Sequence, residues 1–267
     1  MADTNTIDFV LYRYTPSLAA AIAFTAIFGI LSLLHLYRVL HHRTYFFIPF
    51  LLGLIFETVG YLARIFSHYS PKSLTPYIIQ TMLILVAPPL FAASIYMTLG
   101  RLITRLHAES TSLVPVRWLT KVFVVGDIVS FVLQCGGGGY MSAGTQSAMT
   151  TGSHIVIGGL AIQLLFFGFF VIVASVFHVR VVRNHHHHHH HHQHTPIPAK
   201  TGRYSWTDMM WGLYIACGLI LVRSVYRVVE FVEGNDGFIM RREYLLYVFD
   251  GVLMALTGVV VGVVFPG

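Results

Sequence analysis

Three short sets of residues in this sequence combine carboxylates, guanidiniums and phenols at one repeating interval. They are Glu57, Tyr61 and Arg64; Arg223, Arg227 and Glu230; and Glu243, Tyr247 and Asp250. Each set has the spacing i, i+4, i+7, which on an α-helix stacks its three side chains along one face. The surrounding residues are almost all apolar, so each set is a polar stripe on a greasy segment. An ionisable group at mid-membrane costs about 2.5 to 3.5 kcal/mol on insertion scales and is by default a candidate for function. The stripes hold three cations, Arg64, Arg223 and Arg227, against four carboxylates, Glu57, Glu230, Glu243 and Asp250. Internal pairing would neutralise most of that charge and leave one acid unmatched. Glu230 and Glu243 stand near segment ends, where solvation is an equally simple fate. Pairing that only holds helices in register is the structural alternative for the whole set.

Other reactive groups do not assemble into chemistry. No nucleophile has a neighbouring base, no Gly-x4-Gly-Lys-Ser/Thr phosphate loop occurs, and the histidines outside the run at 185–194 lie mostly at segment ends. The sequence therefore predicts no enzyme, no metal site and no cofactor. The eight consecutive histidines His185 to His192, with His194, would bind nickel or zinc in any solvated loop, native or inserted, and define no geometry. Cys135 and Cys217 sit in apolar runs and read as packing residues.

The elements that must position the stripes follow from composition. Among 267 residues, 55% are hydrophobic and only 10% charged, against about 25% charged in soluble domains. Seven segments reach the roughly 20 apolar residues needed to cross hydrocarbon: about 16–37, 45–66, 76–99, 119–140, 154–179, 206–232 and 244–265. The spaces between them leave no room for a second domain, so residues 1–267 are expected to form one all-α, seven-helix membrane bundle with 185–194 in a cytoplasmic loop. The first segment lacks a basic leader and reads as a retained helix rather than a cleaved signal.

Ten of the 17 Lys and Arg residues flank the connections after segments 1, 3 and 5, and only Arg13, Lys72, Arg241 and Arg242 fall on the other side. The positive-inside rule then puts the N-terminus outside and the C-terminus in the cytoplasm. The net charge of +6 reports this orientation, not a nucleic-acid groove. By depth, the three stripes fall level in the outer half of the bundle, joined by Gln134 and Gln163 around a polar cavity. Asp127 lies deeper. Pro88 and Pro89 remove two backbone donors from the third segment; they are expected to break or kink it and to free the carbonyls of Ile84 and Leu85. Gly136 to Gly139 either end the fourth segment or let another backbone approach it.

Five ordered strings carry a family resemblance: Glu57-x-x-Gly60-Tyr61-x-x-Arg64, the run Ala87-Pro88-Pro89-Leu90 through Gly100-Arg101, Asp127-x-x-Ser130-Phe131-x-x-Gln134-x-Gly136, Arg223-x-x-Tyr226-Arg227-x-x-Glu230, and Glu243-x-x-x-Tyr247-x-x-Asp250. Together they resemble the fungal RTA-like proteins, a lipid-translocating exporter family named for resistance to aminocholesterol. The resemblance spans segments 2 to 7. It implies a multi-pass protein of the fungal plasma membrane or an endomembrane, export or flipping of sphingoid long-chain bases, and resistance to cationic amphiphiles, with one branch linked to porphyrin uptake. The histidine run and the end at Gly267 depart from the family pattern, the latter suggesting a missing cytoplasmic tail.

Residues and resemblance meet in one expectation. Glu57, Asp250 and Glu230 would bind the amine of an amphipathic lipid, Arg64 and Arg227 would orient those acids, Tyr61 and Tyr247 would meet its hydroxyls, and Arg223, Gln134 and Gln163 would line the same site. Asp127 is the candidate for proton coupling. A seven-helix receptor or sensor for a lipid or porphyrin is the rival reading. The partners are membrane lipids and the amphipathic substrate, and the oligomeric state is open.

Overall fold

The computed structural model describes residues 17–70, 73–141, 145–188, 206–234, 237–238 and 242–264. Arg13, Lys72, Lys200, Arg203 and Arg241 of the charge pattern, and His189 to His194, lie outside the described residues. The described chain is an all-α membrane protein of seven long helices. These are α1 Leu18–His42, α2 Ile48–Tyr69, α3 Leu74–Arg105, α4 Val116–Met141, α5 Gln146–His188, α6 Trp206–Glu233 and α7 Glu243–Val264.

Helix is the form such a chain must take, because hydrocarbon offers no water to backbone N–H and C=O groups. The ends follow local chemistry. Ser17 caps α1 by accepting the Ala20 N–H, and Arg43, at φ 54°, closes that helix in the left-handed region. A proline stands in the first turn of α2, and the Pro115 carbonyl receives the Trp118 and Leu119 N–H groups before α4. Five helices, α1, α2, α3, α5 and α7, are long and apolar enough to cross a membrane by length and composition. At 26 and 28 residues, α4 and α6 also have the length.

Neighbouring helices pack in sequence, and α7 closes the bundle by packing on both α6 and α1 while α3 reaches α6 across the interior. Two close approaches depend on glycine. A Cβ on Gly60 would meet Ile84 Cγ1 at 2.7 Å, so α2 lies directly on α3 there; one on Gly137 would meet the Gly152 carbonyl at 2.7 Å, setting α4 on α5. Tyr96, Phe123, Phe167 and Phe170 fill the space among α3, α4 and α5.

At three places the helices decide between local expectations. Helix α3 runs unbroken through Pro88 and Pro89, since membrane helices accept proline when a neighbour takes up the freed carbonyls. Helix α4 passes through its four glycines to Met141, because inside a bundle the run serves packing rather than termination. Helix α5 starts earlier and ends later than its apolar core, continuing through His188. The first four histidines of the run are therefore helical rather than loop, with no glycine or proline to stop them before Pro196.

Candidate functional site: a buried ion network between three helices

The three stripes meet. Glu57, Tyr61 and Arg64 in the C-terminal half of α2, Arg223, Arg227 and Glu230 in the C-terminal half of α6, and Tyr247 and Asp250 near the start of α7 are all buried. Alternating helix direction brings these portions to the same end of the bundle, the end at which α1 begins.

Asp250, 0% exposed, is the centre. One of its oxygens accepts from Arg223 Nε and the other from Arg227 Nη2. Arg227 Nη1 also donates to Glu230 Oε2 at 2.9 Å, one turn along α6. Arg223 Nη2 donates to the Ile84 carbonyl at 2.8 Å. That carbonyl is the one whose helical donor Pro88 removes. Closer to the bundle end, Arg64 makes a second set of contacts. Its Nε donates to the Tyr247 hydroxyl at 2.9 Å and its Nη2 to Glu243 Oε1 at 2.9 Å. Glu243 Oε1 also accepts the Ser17 N–H at 2.7 Å, which ties the start of α1 to α7. Glu230 and Glu243 are thus paired rather than merely solvated: Glu243 is the acid of Arg64, and Glu230 shares Arg227 with Asp250.

The pairing accounts for three cations and three acids and leaves the fourth. Glu57 is 0% exposed, and neither of its carboxyl oxygens has a hydrogen-bond partner among the described residues. It lies within electrostatic range of Asp250, Arg223 and Arg227. The Tyr61 hydroxyl, one helical turn away, and Arg227 Nε are likewise without partners. One side of this group is an aromatic wall: Phe24 stacks on Tyr61 and Tyr247 with ring centroids 5.3 and 5.2 Å apart, and Phe28 stacks on Tyr61 at 5.5 Å. A buried carboxyl, a phenol and an N–H with nothing to bond form a set of acceptors and donors that a polar guest could satisfy.

Sequence reasoning missed four parts of this arrangement. Residues Tyr247–Val252 form a π-helical turn. The wider turn rotates α7 so that Glu243 and Tyr247 face α2 and α1 while Asp250 faces α6, and π turns of this kind recur at functional sites. No residue in Tyr247-Val-Phe-Asp-Gly-Val announces it. Phe24 and Phe28 of α1 sit in an apolar segment that has no charged stripe to show which face turns inward. The Ile84 carbonyl could be seen to be free, but not to whom it would go. Ser17 gave no signal at all.

The remaining candidates lie apart from the network. Gln134 Nε2 donates to Gln163 Oε1 at 2.9 Å between α4 and α5, and no hydrogen bond among the described residues joins that pair to the three stripes. Asp127 is buried against α3, where the Tyr96 hydroxyl donates to its Oδ2 at 3.0 Å and its Oδ1 has no partner. Among the described residues no group of three or more His, Cys, Asp or Glu could hold a metal ion.

Comparison with known proteins identifies the family. Residues 50–267 match the family described as RTA1 like protein. The chain belongs to the RTA1-like family. It is 39% identical to Protein RTM1 of Saccharomyces cerevisiae, over 97% of this chain and 92% of that protein. It is 38% identical to Protoporphyrin uptake protein 1 of the same species, over 95% and 91%. It is 27% identical to the Sphingoid long-chain base transporter RSB1 of that yeast, over 94% and 72%. No solved structure matches. Every residue of the ion network falls inside the RTA1-like match, whereas Ser17, Phe24 and Phe28 precede it.

Proposed function

We propose that this RTA1-like protein translocates amphipathic lipids carrying a single positive charge, sphingoid long-chain bases being the closest fit, and that the guest amine binds Glu57. The observation that carries the reading is the orphaned, fully buried Glu57 carboxyl beside the unpartnered Tyr61 hydroxyl and Arg227 Nε–H. An amine donates to Glu57, a neighbouring hydroxyl oxygen accepts from Arg227 Nε, and Tyr61 meets a second hydroxyl. The aromatic wall of Phe24, Phe28 and Tyr247 lines the way for the alkyl chain. Asp250, Arg223 and Glu230 hold the frame. A relative named as a sphingoid long-chain base transporter supports this class of guest.

A relative named for protoporphyrin uptake favours a second reading, binding or sensing of a porphyrin. Porphyrin carboxylates would seek guanidiniums, yet Arg64, Arg223 and Arg227 each already bond a carboxylate. The spare charge in the site is negative, and that supports the cation. Asp127, apart from the network, is the group through which a proton gradient would drive the cycle. The protein acts as a carrier rather than an enzyme, in the plasma membrane, with its N-terminus outside; single cysteines introduced at Ser73 and Ser112 and labelled from either side of intact cells test that orientation, which requires Ser73 alone to react from outside.

Transport of a fluorescent sphingoid base into or out of proteoliposomes containing only this protein tests the function. Wild-type protein should move the lipid and Glu57→Gln should not. Transport by folded Glu57→Gln at the wild-type rate would refute the assignment.

A further inference from the structure

Arg223 reaches two acceptors on different helices, Asp250 of α7 through Nε and the Ile84 carbonyl of α3 through Nη2 at 2.8 Å. A main-chain carbonyl within a helix normally receives the N–H four residues later. At Ile84 that residue is Pro88, which has no N–H. The carbonyl is buried with Ile84, which is 2% exposed and is pressed by Gly60 of α2 on its other side. Without Arg223 it would be an unsatisfied acceptor in a dry interior. Without Pro88 it would already have a donor.

We propose that Pro88 is a positioning residue. Its role is to withhold one backbone hydrogen, so that the Ile84 carbonyl fixes the Arg223 guanidinium in the plane that presents Nε to Asp250. The effect travels from Pro88 through Ile84 and Arg223 to the acid at the centre of the network. Pro89 has no such line of action: its missing hydrogen concerns the Leu85 carbonyl, and Arg223 does not bond to Leu85. The two adjacent prolines, alike in sequence, have separate consequences. The inference concerns the ion network and not what the network binds, so its test needs no substrate and can fail or succeed independently of the transport reading.

The experiment uses the full chain, 15N-labelled at arginine, in lipid nanodiscs, and reads the side-chain signals of Arg223. A guanidinium held at both Nε and Nη2 rotates slowly and shows separate Nη resonances, assigned by their loss in Arg223→Lys or, if that variant does not fold, by elimination with Arg64→Lys and Arg227→Lys. Pro88→Ala restores the backbone donor and is expected to speed guanidinium rotation about tenfold, the worth of one hydrogen bond to a charged group. Pro89→Ala is expected to leave the rotation as in wild type. The decisive variant places the α-hydroxy analogue of alanine at position 88, giving an ester oxygen where the N–H would stand. It lacks the proline ring yet withholds the hydrogen, and it is expected to keep rotation slow. Slow rotation in Pro88→Ala, or fast rotation in the ester variant, would overturn the proposal, as would an equal effect from Pro89→Ala. Pro88→Leu carries the same donor and replaces Pro88→Ala should the latter not accumulate.

Discussion

Asp250 and Glu57 are both fully buried acids, but their partners differ so much that their removal should have unequal costs. Asp250 accepts from two guanidiniums, and Glu57 accepts from none. Breaking a buried ion pair by neutralising one partner typically costs about 3 to 5 kcal/mol, because a charge is left buried and uncompensated. In Asp250→Asn, Arg227 keeps Glu230 at 2.9 Å, while Arg223 keeps only the uncharged Ile84 carbonyl. One stranded cation, not two, is the result. Glu57 stands close enough to Arg223 and Arg227 to offset part of it, so the lower figure applies, about 3 kcal/mol. For a chain of this length that is a fall of roughly 6 to 12 °C in midpoint temperature. Glu57→Gln removes no hydrogen bond and should change stability by less than about 1 kcal/mol. The double variant strips the stranded arginine of its substitute and should lose at least about 1 kcal/mol more than the sum of the singles. Thermal unfolding of the purified variants in one detergent, followed by size-exclusion fluorescence, measures all three. The reasoning fails if Glu57→Gln is as destabilising as Asp250→Asn, or if the two substitutions simply add.

Two further outcomes use the same assay. Within the four-glycine run of α4, Gly137→Ala forces a Cβ to 2.7 Å from the Gly152 carbonyl and 2.9 Å from the Val156 nitrogen, backbone atoms that cannot step aside, and should cost about 1 to 3 kcal/mol; Gly136→Ala and Gly139→Ala meet nothing within 4 Å and should be neutral or gain up to about 1 kcal/mol of helix propensity. Tyr96→Phe removes the donor to Asp127 Oδ2 while Oδ1 is already unpartnered, so stability should drop by about 1 to 3 kcal/mol, and unchanged stability would mean that another donor serves Asp127.

How far the site could be read beforehand depended on whether a feature was set within one helix or between helices. The triplets could be read because i, i+4, i+7 spacing on an otherwise apolar helix has one inward solution, and all three stripes took it. Counting charges foretold one spare acid. It could not say which, because that choice depends on how α7 turns relative to α6. Glu230 and Glu243 looked dispensable near their helix ends, and each turned out to hold an arginine. Gln134 and Gln163 lie at the right height but on the α4–α5 side, where the nearest complementary group for each is the other. Height along the membrane can be read from a sequence by counting residues; the position around the bundle cannot. The π turn escaped for a related reason, since inserting part of a residue's rotation costs one hydrogen bond and needs no special side chain.

That turn also determines which element links the two halves of the network. On one face, Glu243 before the turn and Tyr247 at its start tie α7 to Arg64 of α2 and to Ser17 at the start of α1. On another face, Asp250 within the same turn ties α7 to Arg223 and Arg227 of α6. Arg64 has no ion pair with α6, and Asp250 has none with α2, so α7 is the shared member of both sets among the described residues. Glu57 lies within electrostatic range of Asp250 and its arginines and one helical turn from Tyr61, whose ring stacks on Phe24 of α1. On the proposed function, a guest entering from the Ser17 end would meet the Arg64 contacts and that stack, and one entering from the α6 side would meet the pairs of Asp250 with its arginines. Either route moves α7 against a neighbour while the other set of ion pairs holds it. The two sets are thus suited to open one at a time, since releasing both together would strand two buried guanidiniums, Arg64 and Arg223, at once, at about 3 to 5 kcal/mol for each, while Arg227 keeps Glu230.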